Sequence, residues 1–256
     1  VVSEESFFKS AIPWISKLKI RYSDGLVGSD YARNRWLYIS EYRKDPNGYI
    51  QPDAAANVNA QWEEARKRDL GLELGFFKNS LLLSVDFFDE YRSKMLLQPR
   101  TVTYIVGTLF KELNLGEIKK HGVDIELEFR KTTSGNFGFF TKGILGLNEN
   151  RIIFKDDLPY APEYTKDAGK PLEAQLNGVL LTGTGYFTSV DDIQNNPAPI
   201  AISKLNVGDY KFLDYNADGE ITIVDKYPIK GSTYPPVTYS LTSGFTYKNF
   251  DLHIMW

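Results

Sequence analysis

Apolar and polar residues alternate with a period of two in several short segments of the chain. The clearest segment is 123–130, in which every odd position is apolar and every even position is charged. Because successive side chains of a β-strand point to opposite faces, this segment predicts a strand with one apolar and one charged face. The same alternation, less regular at 137–150, predicts further strands at 17–22, 69–76, 81–91, 137–150, 237–247 and 250–256.

The connections between these predicted strands are alternately short and long. The short connections, at 78–80, 132–136 and 248–249, contain Asn or Gly, which tolerate the positive φ of tight turns. The long connections cover roughly 23–64, 92–120 and 151–236, and loops of this length are uncommon in compact soluble domains. Short periplasmic turns and long extracellular loops are typical of outer-membrane barrels.

The sequence therefore predicts an all-β fold, an antiparallel up-and-down transmembrane β-barrel segment with long extracellular loops. The segment is expected to hold about seven or eight strands, and the alternation that is still running at 252–256 indicates that the barrel is incomplete. A soluble antiparallel sandwich shows the same alternation of faces and remains the alternative at this stage. The two differ in whether the apolar stripes pack against a second sheet or form one exposed outer band.

Composition narrows the classes of partner and site. The net charge of -3 argues against a nucleic-acid partner, because phosphate binding requires a basic surface. The chain has no cysteine, which excludes disulfides and thiolate metal sites.

Its 16 Tyr, 16 Phe and 4 Trp suit the aromatic girdles of a barrel. Loop aromatics such as Trp36, Tyr38, Tyr42 and Tyr49 are suited either to loop packing or to stacking on sugar rings, and the sequence assigns no substrate contact among them.

The ends of the chain lack two features expected of a complete secreted protein. Residues 1–5 have neither the basic start nor the apolar core of a signal peptide, and the last alternating segment is still running at 252–256. We interpret the chain as an internal or truncated part of a longer protein.

The segment 214–225 has the spacing of a calcium-binding loop. In such a loop the side chains at the first, third and fifth positions converge on the cation, and a glycine at the sixth permits the sharp turn. A main-chain carbonyl at the seventh position and a carboxylate at the twelfth complete the ligands. The predicted Ca²⁺ ligands are Asp214, Asn216, Asp218, Glu220 through its carbonyl, and Asp225. An Asx-rich turn that satisfies its own backbone is the alternative, because the twelfth residue is Asp rather than Glu and no helices flank the loop.

No motif for catalysis emerges, and we predict that the chain is not an enzyme. His121 and His253 are too few and too far apart to suggest a histidine site. No G-x-S-x-G nucleophile motif accompanies them. Asp124 and Glu126 lie two apart on one strand face, which is more typical of a solvated wall than of a glycosidase pair.

Short characteristic segments follow one another along the chain in a fixed order, at 18–22, 25–30, 62–63, 68–73, 76–79, 87–92, 114–118, 122–127, 208–212, 214–219, 234–239, 244–245 and 250–252. This ordered series resembles the barrel region of SusC/RagA-type TonB-dependent outer-membrane transporters. Asp24-Gly25 stands where that family usually has Tyr-Gly, and His121 stands where it usually has Asn.

The resemblance implies a part of a TonB-dependent receptor β-barrel domain over 1–256, located in the bacterial outer membrane, without the plug domain and the closing strands. It also implies uptake of an oligosaccharide or peptide, with outer-membrane lipid around the barrel. A SusD-like surface lipoprotein and TonB, reached through the missing N-terminal region, would be its protein partners. The rival is a soluble or surface-attached, calcium-stabilised all-β carbohydrate-binding protein.

Overall fold

Seven antiparallel strands form one continuous sheet that is not closed. The computed structural model describes residues 1–12, 14–32, 35–102, 104–133, 136–172, 185–197, 204–227 and 234–256. The strands are β1 (Ile15–Ser29), β2 (Glu41–Lys44), β3 (Ile50–Ala55), β4 (Glu63–Phe76), β5 (Leu81–Leu97), β6 (Leu109–Phe110), β7 (Leu113–Thr133), β8 (Phe137–Phe154), β9 (Val237–Tyr247) and β10 (Phe250–Met255). Two short α-helices, α1 (Ser6–Ala11) and α2 (Val190–Gln194), and the 3₁₀ helices Val2–Glu4, Tyr104–Val106, Glu163–Thr165 and Ile223–Asp225 complete the described elements.

The order of strands in the large sheet is β1-β4-β5-β7-β8-β9-β10, with every neighbouring pair antiparallel. The predicted all-β, up-and-down, incomplete sheet of about seven or eight strands is thereby confirmed. The short turns close the hairpins with left-handed residues, among them Asn79 (φ +64°) and Lys248 (φ +52°). Asn accepts this conformation readily, which explains why the turn at 78–80 was recognisable.

The strands extend well beyond their predicted ends on the side of the long connections. β1 continues to Ser29, β5 to Leu97, and β7 begins at Leu113, so the predicted loops 23–64 and 92–120 were too long. In these extensions charged residues occupy both faces: the registered row Asp24–Arg68–Asp89–His121–Glu149 lies on one face, and the adjacent row Lys67–Glu90–Lys120 lies on the other. The backbone ladder continues there although the alternation that marks a half-buried strand has ended.

A second, three-stranded sheet of order β2-β3-β6 lies in the connections of the first unit and was not predicted. All four residues of β2 are exposed, so no apolar face marks it in the sequence. β6 has only two residues and pairs in parallel with the end of β3.

The chain divides into two compact units. The first contains both sheets and comprises Val1–Asp156 and Pro235–Trp256; the second is Asp157–Tyr234. The second unit has a small interior in which Phe187, Ile221 and Asp225 are almost fully buried. The assignment of 1–256 to a single barrel domain stays a prediction.

Gly71 on β4 permits an ion pair between two strands that are not neighbours. Arg21 on β1 reaches across it, and its Nη2 atom lies 2.6 Å from Asp86 Oδ1 on β5. A Cβ at Gly71 would lie only 2.8 Å from Arg21 Nη2, which is closer than a carbon atom can pack. The absence of a Cβ at Gly71 therefore leaves the space that the Arg21 guanidinium group occupies on its way to Asp86.

We expect Gly71→Ala to destabilise the sheet relative to a matched change, Gly143→Ala on β8, where an added Cβ meets no atom within 4 Å. Alanine in a strand interior ordinarily stabilises by about 0.5–1 kcal/mol over glycine, and Gly143→Ala should show this gain. Gly71→Ala should lose it because the ion pair is displaced, leaving the variant roughly 1–2 kcal/mol less stable than Gly143→Ala. Urea midpoints of the full-length protein in detergent micelles would measure the difference, and equal midpoints would contradict the prediction.

Candidate functional site

One face of the large sheet is an apolar band built from registered rows of side chains. The row through the centre of the sheet is Ile20–Leu72–Val85–Ile125–Leu145–Tyr239. On β8 the band runs from Leu147 to Phe137, eleven residues, and a tilted strand needs about 9–11 residues to cross a bilayer. At the end that carries the short turns, aromatic side chains dominate, and Phe137 stacks on Phe245 with 6.2 Å between ring centroids. An aromatic girdle at the edge of an apolar band is typical of a barrel in lipid.

The side chains of this band are half-buried or exposed. Leu70 is 46%, Leu127 47% and Tyr239 81% accessible. A sandwich would bury these residues against a second sheet, as the soluble alternative requires. The exposed band therefore favours the membrane-barrel interpretation over the sandwich.

The opposite face carries charged and small polar residues that form ion pairs across strands. Glu73 on β4 lies 2.6 Å from Lys17 Nζ and 3.3 Å from both Lys19 Nζ and Arg21 Nε, all on β1. Glu126 on β7 pairs with Lys142 on β8 at 2.7 Å. These pairs are partly exposed, so each contributes little to stability on its own. A charged face of this kind is suited to a water-filled lumen.

The sequence did not predict which of these charged residues form ion pairs with one another. The alternation identified the face on which Arg21 and Asp86 lie, but it contained no register, and register decides which charges meet. The available signal was Gly71, a glycine on the polar face of β4. It stands between a strand that carries Arg21 and a strand that carries Asp86.

The predicted calcium loop brings three of its residues together. Ligand atoms of Asp214, Asp218 and Asp225 lie within 4.8 Å of one another. Asn216 lies beside them, and its amide nitrogen is 2.7 Å from Asp218 Oδ2. The Glu220 side chain is exposed and is not part of this group, so only its carbonyl is available for the predicted role.

The loop satisfies much of its own backbone. Asp214 accepts hydrogen bonds from the N–H groups of Asp218 (3.2 Å) and Gly219 (2.8 Å). Gly219 adopts φ +89°, the conformation that the sixth position of a calcium loop requires. These features suit both a calcium loop and an Asx-rich turn, and the Ca²⁺ ligand set stays a prediction.

Asp225 is the buried anchor of the loop. Its side chain accepts hydrogen bonds from the N–H groups of Tyr215 (2.9 Å), Asn216 (3.3 Å) and Thr222 (2.7 Å), and from the Thr222 hydroxyl. Burial alone raises the pKa of the Asp225 carboxyl, but these donors favour the carboxylate more strongly and hold the pKa below its ordinary value. The charged side chain therefore joins the start of the loop to its end.

If the loop binds calcium, isothermal titration of the chelator-treated, full-length protein should show one saturable site. Extracellular calcium modules bind with Kd of about 10⁻⁴–10⁻³ M, and we expect Asp218→Asn to weaken binding about ten-fold or more because one anionic ligand is lost. The control is Asp191→Asn on the exposed surface of α2, which should leave the titration unchanged. A wild-type protein that takes up no calcium would leave the Asx-rich turn as the explanation of the motif.

Comparison with known proteins gives a consistent result over nearly the whole chain. The family described as TonB dependent receptor-like, beta-barrel, matches residues 10–253. Among curated relatives, TonB-dependent receptor P3 of Formosa agariphila is 28% identical over 273 aligned residues, covering 100% of this chain and 26% of the relative. TonB-dependent receptor P39 of the same organism is 24% identical over 156 residues, covering 59% of this chain and 15% of that protein.

Solved structures of the RagAB peptide importer share the fold. Its closed-closed state superimposes with a TM-score of 0.64 at 18% identity, covering 99% of this chain and 27% of that chain. Its open-open state gives a TM-score of 0.63 at 19% identity, over 94% of this chain and 26% of that chain. The chain thus spans about a quarter of the length of these relatives. Within the described residues, the structure has no helix of the length and apolarity that crossing a membrane requires.

Proposed function

Because the chain belongs to the TonB-dependent receptor-like β-barrel family, we propose that it forms one arc of the wall of an outer-membrane transporter that imports nutrients at the expense of TonB-coupled energy. The resemblance to SusC/RagA-type receptors is confirmed at the level of family and fold. The observation that carries the proposal is the two-faced sheet, with an exposed apolar band on one side and a charged face on the other.

The two faces fit the two environments of such a wall. The apolar band would face lipid, in which exposed charges are costly, and the paired charges would face a water-filled lumen. The open edges at β1 and β10 must pair with further strands, because unpaired strand edges are not tolerated in lipid. The arc therefore acts as part of a larger barrel, and the plug and closing strands would be supplied by the rest of the protein.

The cargo is an oligosaccharide or a peptide, captured together with a SusD-like surface lipoprotein. The fold shared with the RagAB peptide importer supports a partnered transporter of this kind. Residues 214–225, if they bind calcium, would stiffen the long connection between β8 and β9.

Deletion of the gene that encodes this chain tests the import function. The strain should lose energy-dependent uptake and growth on either an oligosaccharide mixture or a peptide mixture as sole carbon source, and a plasmid copy should restore both. Deletion of TonB should reproduce the loss. Unchanged uptake of both mixtures in the deletion strain would refute the proposal.

Affinity purification of the tagged full-length receptor in mild detergent tests the partner. A SusD-like lipoprotein should co-purify in near-equimolar amount, and its absence would remove this part of the proposal while leaving import intact.

A further inference from the structure

We propose that the end of the apolar band at the short turns binds the phosphate headgroup of an anionic diacyl lipid. The ligands are Lys131 on β7, with Lys78 and Lys248 in the turns on either side of it, and all three side chains are exposed. This inference goes beyond the import function and depends on the placement of the apolar band in lipid.

Lys131 lies within the aromatic girdle. The registered row that contains it is Lys131–Phe139–Phe245–Leu252, on the apolar face. The next row toward the turns is Thr133–Phe137–Tyr247–Phe250. Aromatic girdles lie at the level of the lipid headgroups, and a lysine at this level keeps its stem along apolar surface while its ammonium reaches the polar zone. The Lys131 ammonium is therefore positioned to meet headgroups.

The turns on either side of Lys131 each place a lysine next to an exposed aromatic ring. Lys78 follows Phe77, which is 72% exposed, in the turn between β4 and β5. Lys248 follows Tyr247 in the turn between β9 and β10, and its Nζ lies 5.3 Å from the centre of the Tyr247 ring. Basic and aromatic side chains together are typical of the boundary between a membrane and water.

The protein supplies no countercharge to these lysines. Among the residues that the structure describes, no carboxylate lies within ion-pair distance of any of the three. Glu128, three residues before Lys131, lies on the charged face and pairs with Arg130. Asp251 lies opposite Thr246 on that same charged face. An unmatched ammonium at the edge of a bilayer attracts a headgroup with net negative charge.

At the other end of the band, cations on the same face are matched within the protein. The pairs are Asp24 with Arg66 and Arg68, Asp89 with Lys119, and Glu149 with Arg151. The two ends therefore differ in what they require from outside. The cations near the long connections have protein partners, and the lysines near the short turns are left for an external anion.

Lipid is the occupant that the position of Lys131 allows. β7 lies three strands from either edge of the sheet. The strands that complete the barrel therefore begin four strand positions away, about 19 Å, which is too far for a side chain to reach. Any plug or cargo in the lumen would lie on the opposite face. An anionic headgroup is preferred to a zwitterionic one, because the zwitterionic headgroup carries its own ammonium beside the phosphate.

Native mass spectrometry of the full-length receptor in detergent micelles tests the inference. The delipidated receptor is incubated with equal amounts of phosphatidylglycerol and phosphatidylethanolamine that have the same acyl chains. We expect the wild type to retain phosphatidylglycerol preferentially. Lys131→Gln should lower the ratio of the two bound lipids about five-fold, the factor that one lysine contributes near an anionic lipid surface. Combining it with Lys78→Gln and Lys248→Gln should lower the ratio about ten-fold or more.

Two controls accompany these variants. Lys119→Gln removes a lysine on the same face that is paired with Asp89, and it should leave the ratio unchanged. Lys131→Arg keeps the positive charge, so it should retain the preference for phosphatidylglycerol.

The alternatives give different results. Equal retention of both lipids by the wild type, or a preference that survives the triple glutamine variant, refutes the proposal. Loss of the preference in Lys119→Gln would place the lipid at the opposite end of the band and refute the site at the turns. Displacement of bound phosphatidylglycerol by excess inorganic phosphate would indicate a site for free anions and overturn the lipid assignment. Failure of the import function would instead appear as unchanged uptake in the gene-deletion strain and would leave this lipid contact standing.

Discussion

Replacing Leu127 by arginine is expected to reduce the amount of folded receptor in the outer membrane. Leu127 lies near the middle of the apolar band, registered between Leu83 on β5 and Gly143 on β8. An arginine that faces lipid near the bilayer midplane costs about 2–4 kcal/mol. Because folded domains are stable by only about 5–15 kcal/mol, one such change removes a large share of the free energy of folding and should lower the amount of folded receptor in the membrane.

The control for this prediction is Asp124→Arg, three residues away on the same strand but on the charged face. Asp124 is exposed and lies opposite Asp86, so a cation there should be tolerated. Outer-membrane fractions probed for a heat-modifiable folded band would show the difference. Equal amounts of folded Leu127→Arg and wild-type receptor would mean that the band does not face lipid.

Loss of Asp225 should unfold the second unit and leave the strands in place. In Asp225→Ala, the N–H groups of Tyr215, Asn216 and Thr222 lose the buried carboxylate that accepts their hydrogen bonds. Each buried donor that is left unpaired costs about 1–3 kcal/mol, which a unit with so small an interior cannot offset. Limited trypsin digestion should then cut within 157–234 much faster than in the wild type, while the heat-modifiable band persists.

Two comparisons separate this structural role from a metal role. Asp191→Ala, at an exposed position of α2, should digest like the wild type. The defect of Asp225→Ala should appear equally in chelator, since the lost hydrogen bonds do not involve calcium. A wild-type digestion pattern for Asp225→Ala, or a defect that vanishes when calcium is removed from both proteins, would contradict the anchor role.

The fold was predictable from the sequence where one face of a strand lies in apolar surroundings and the other face in water. At 123–130 one face is apolar and the other charged, and the structure places a strand there with those faces separated. The same signal disappears in the outer halves of the strands, where Arg66 and Lys67 are adjacent and both exposed. A strand with water on both sides has no pattern to distinguish it from a loop.

A feature was predictable from the sequence when the residues that make it are close together in the chain. The loop 214–225 was predictable because its spacing is local, and its three carboxylates do come together. The hydrogen bonds of the buried Asn57 and Lys111 were not, because they join segments that lie far apart in the sequence. Lys111 stands between apolar residues at 109–110 and 113, and nothing in this local pattern indicates that its own side chain is buried.

The extension of the strands beyond the apolar band sets how far the proposed lipoprotein partner would have to reach. On β4 the band ends at Leu70 and the strand continues seven residues to Glu63. At about 3.3 Å per residue and a tilt near 45°, the strand ends stand roughly 16 Å above the lipid boundary. An extended chain covers at most about 3.3–3.6 Å per residue. A lipid-anchored partner that docks on this rim would therefore require a tether of at least about five residues between its acylated end and its first docked residue.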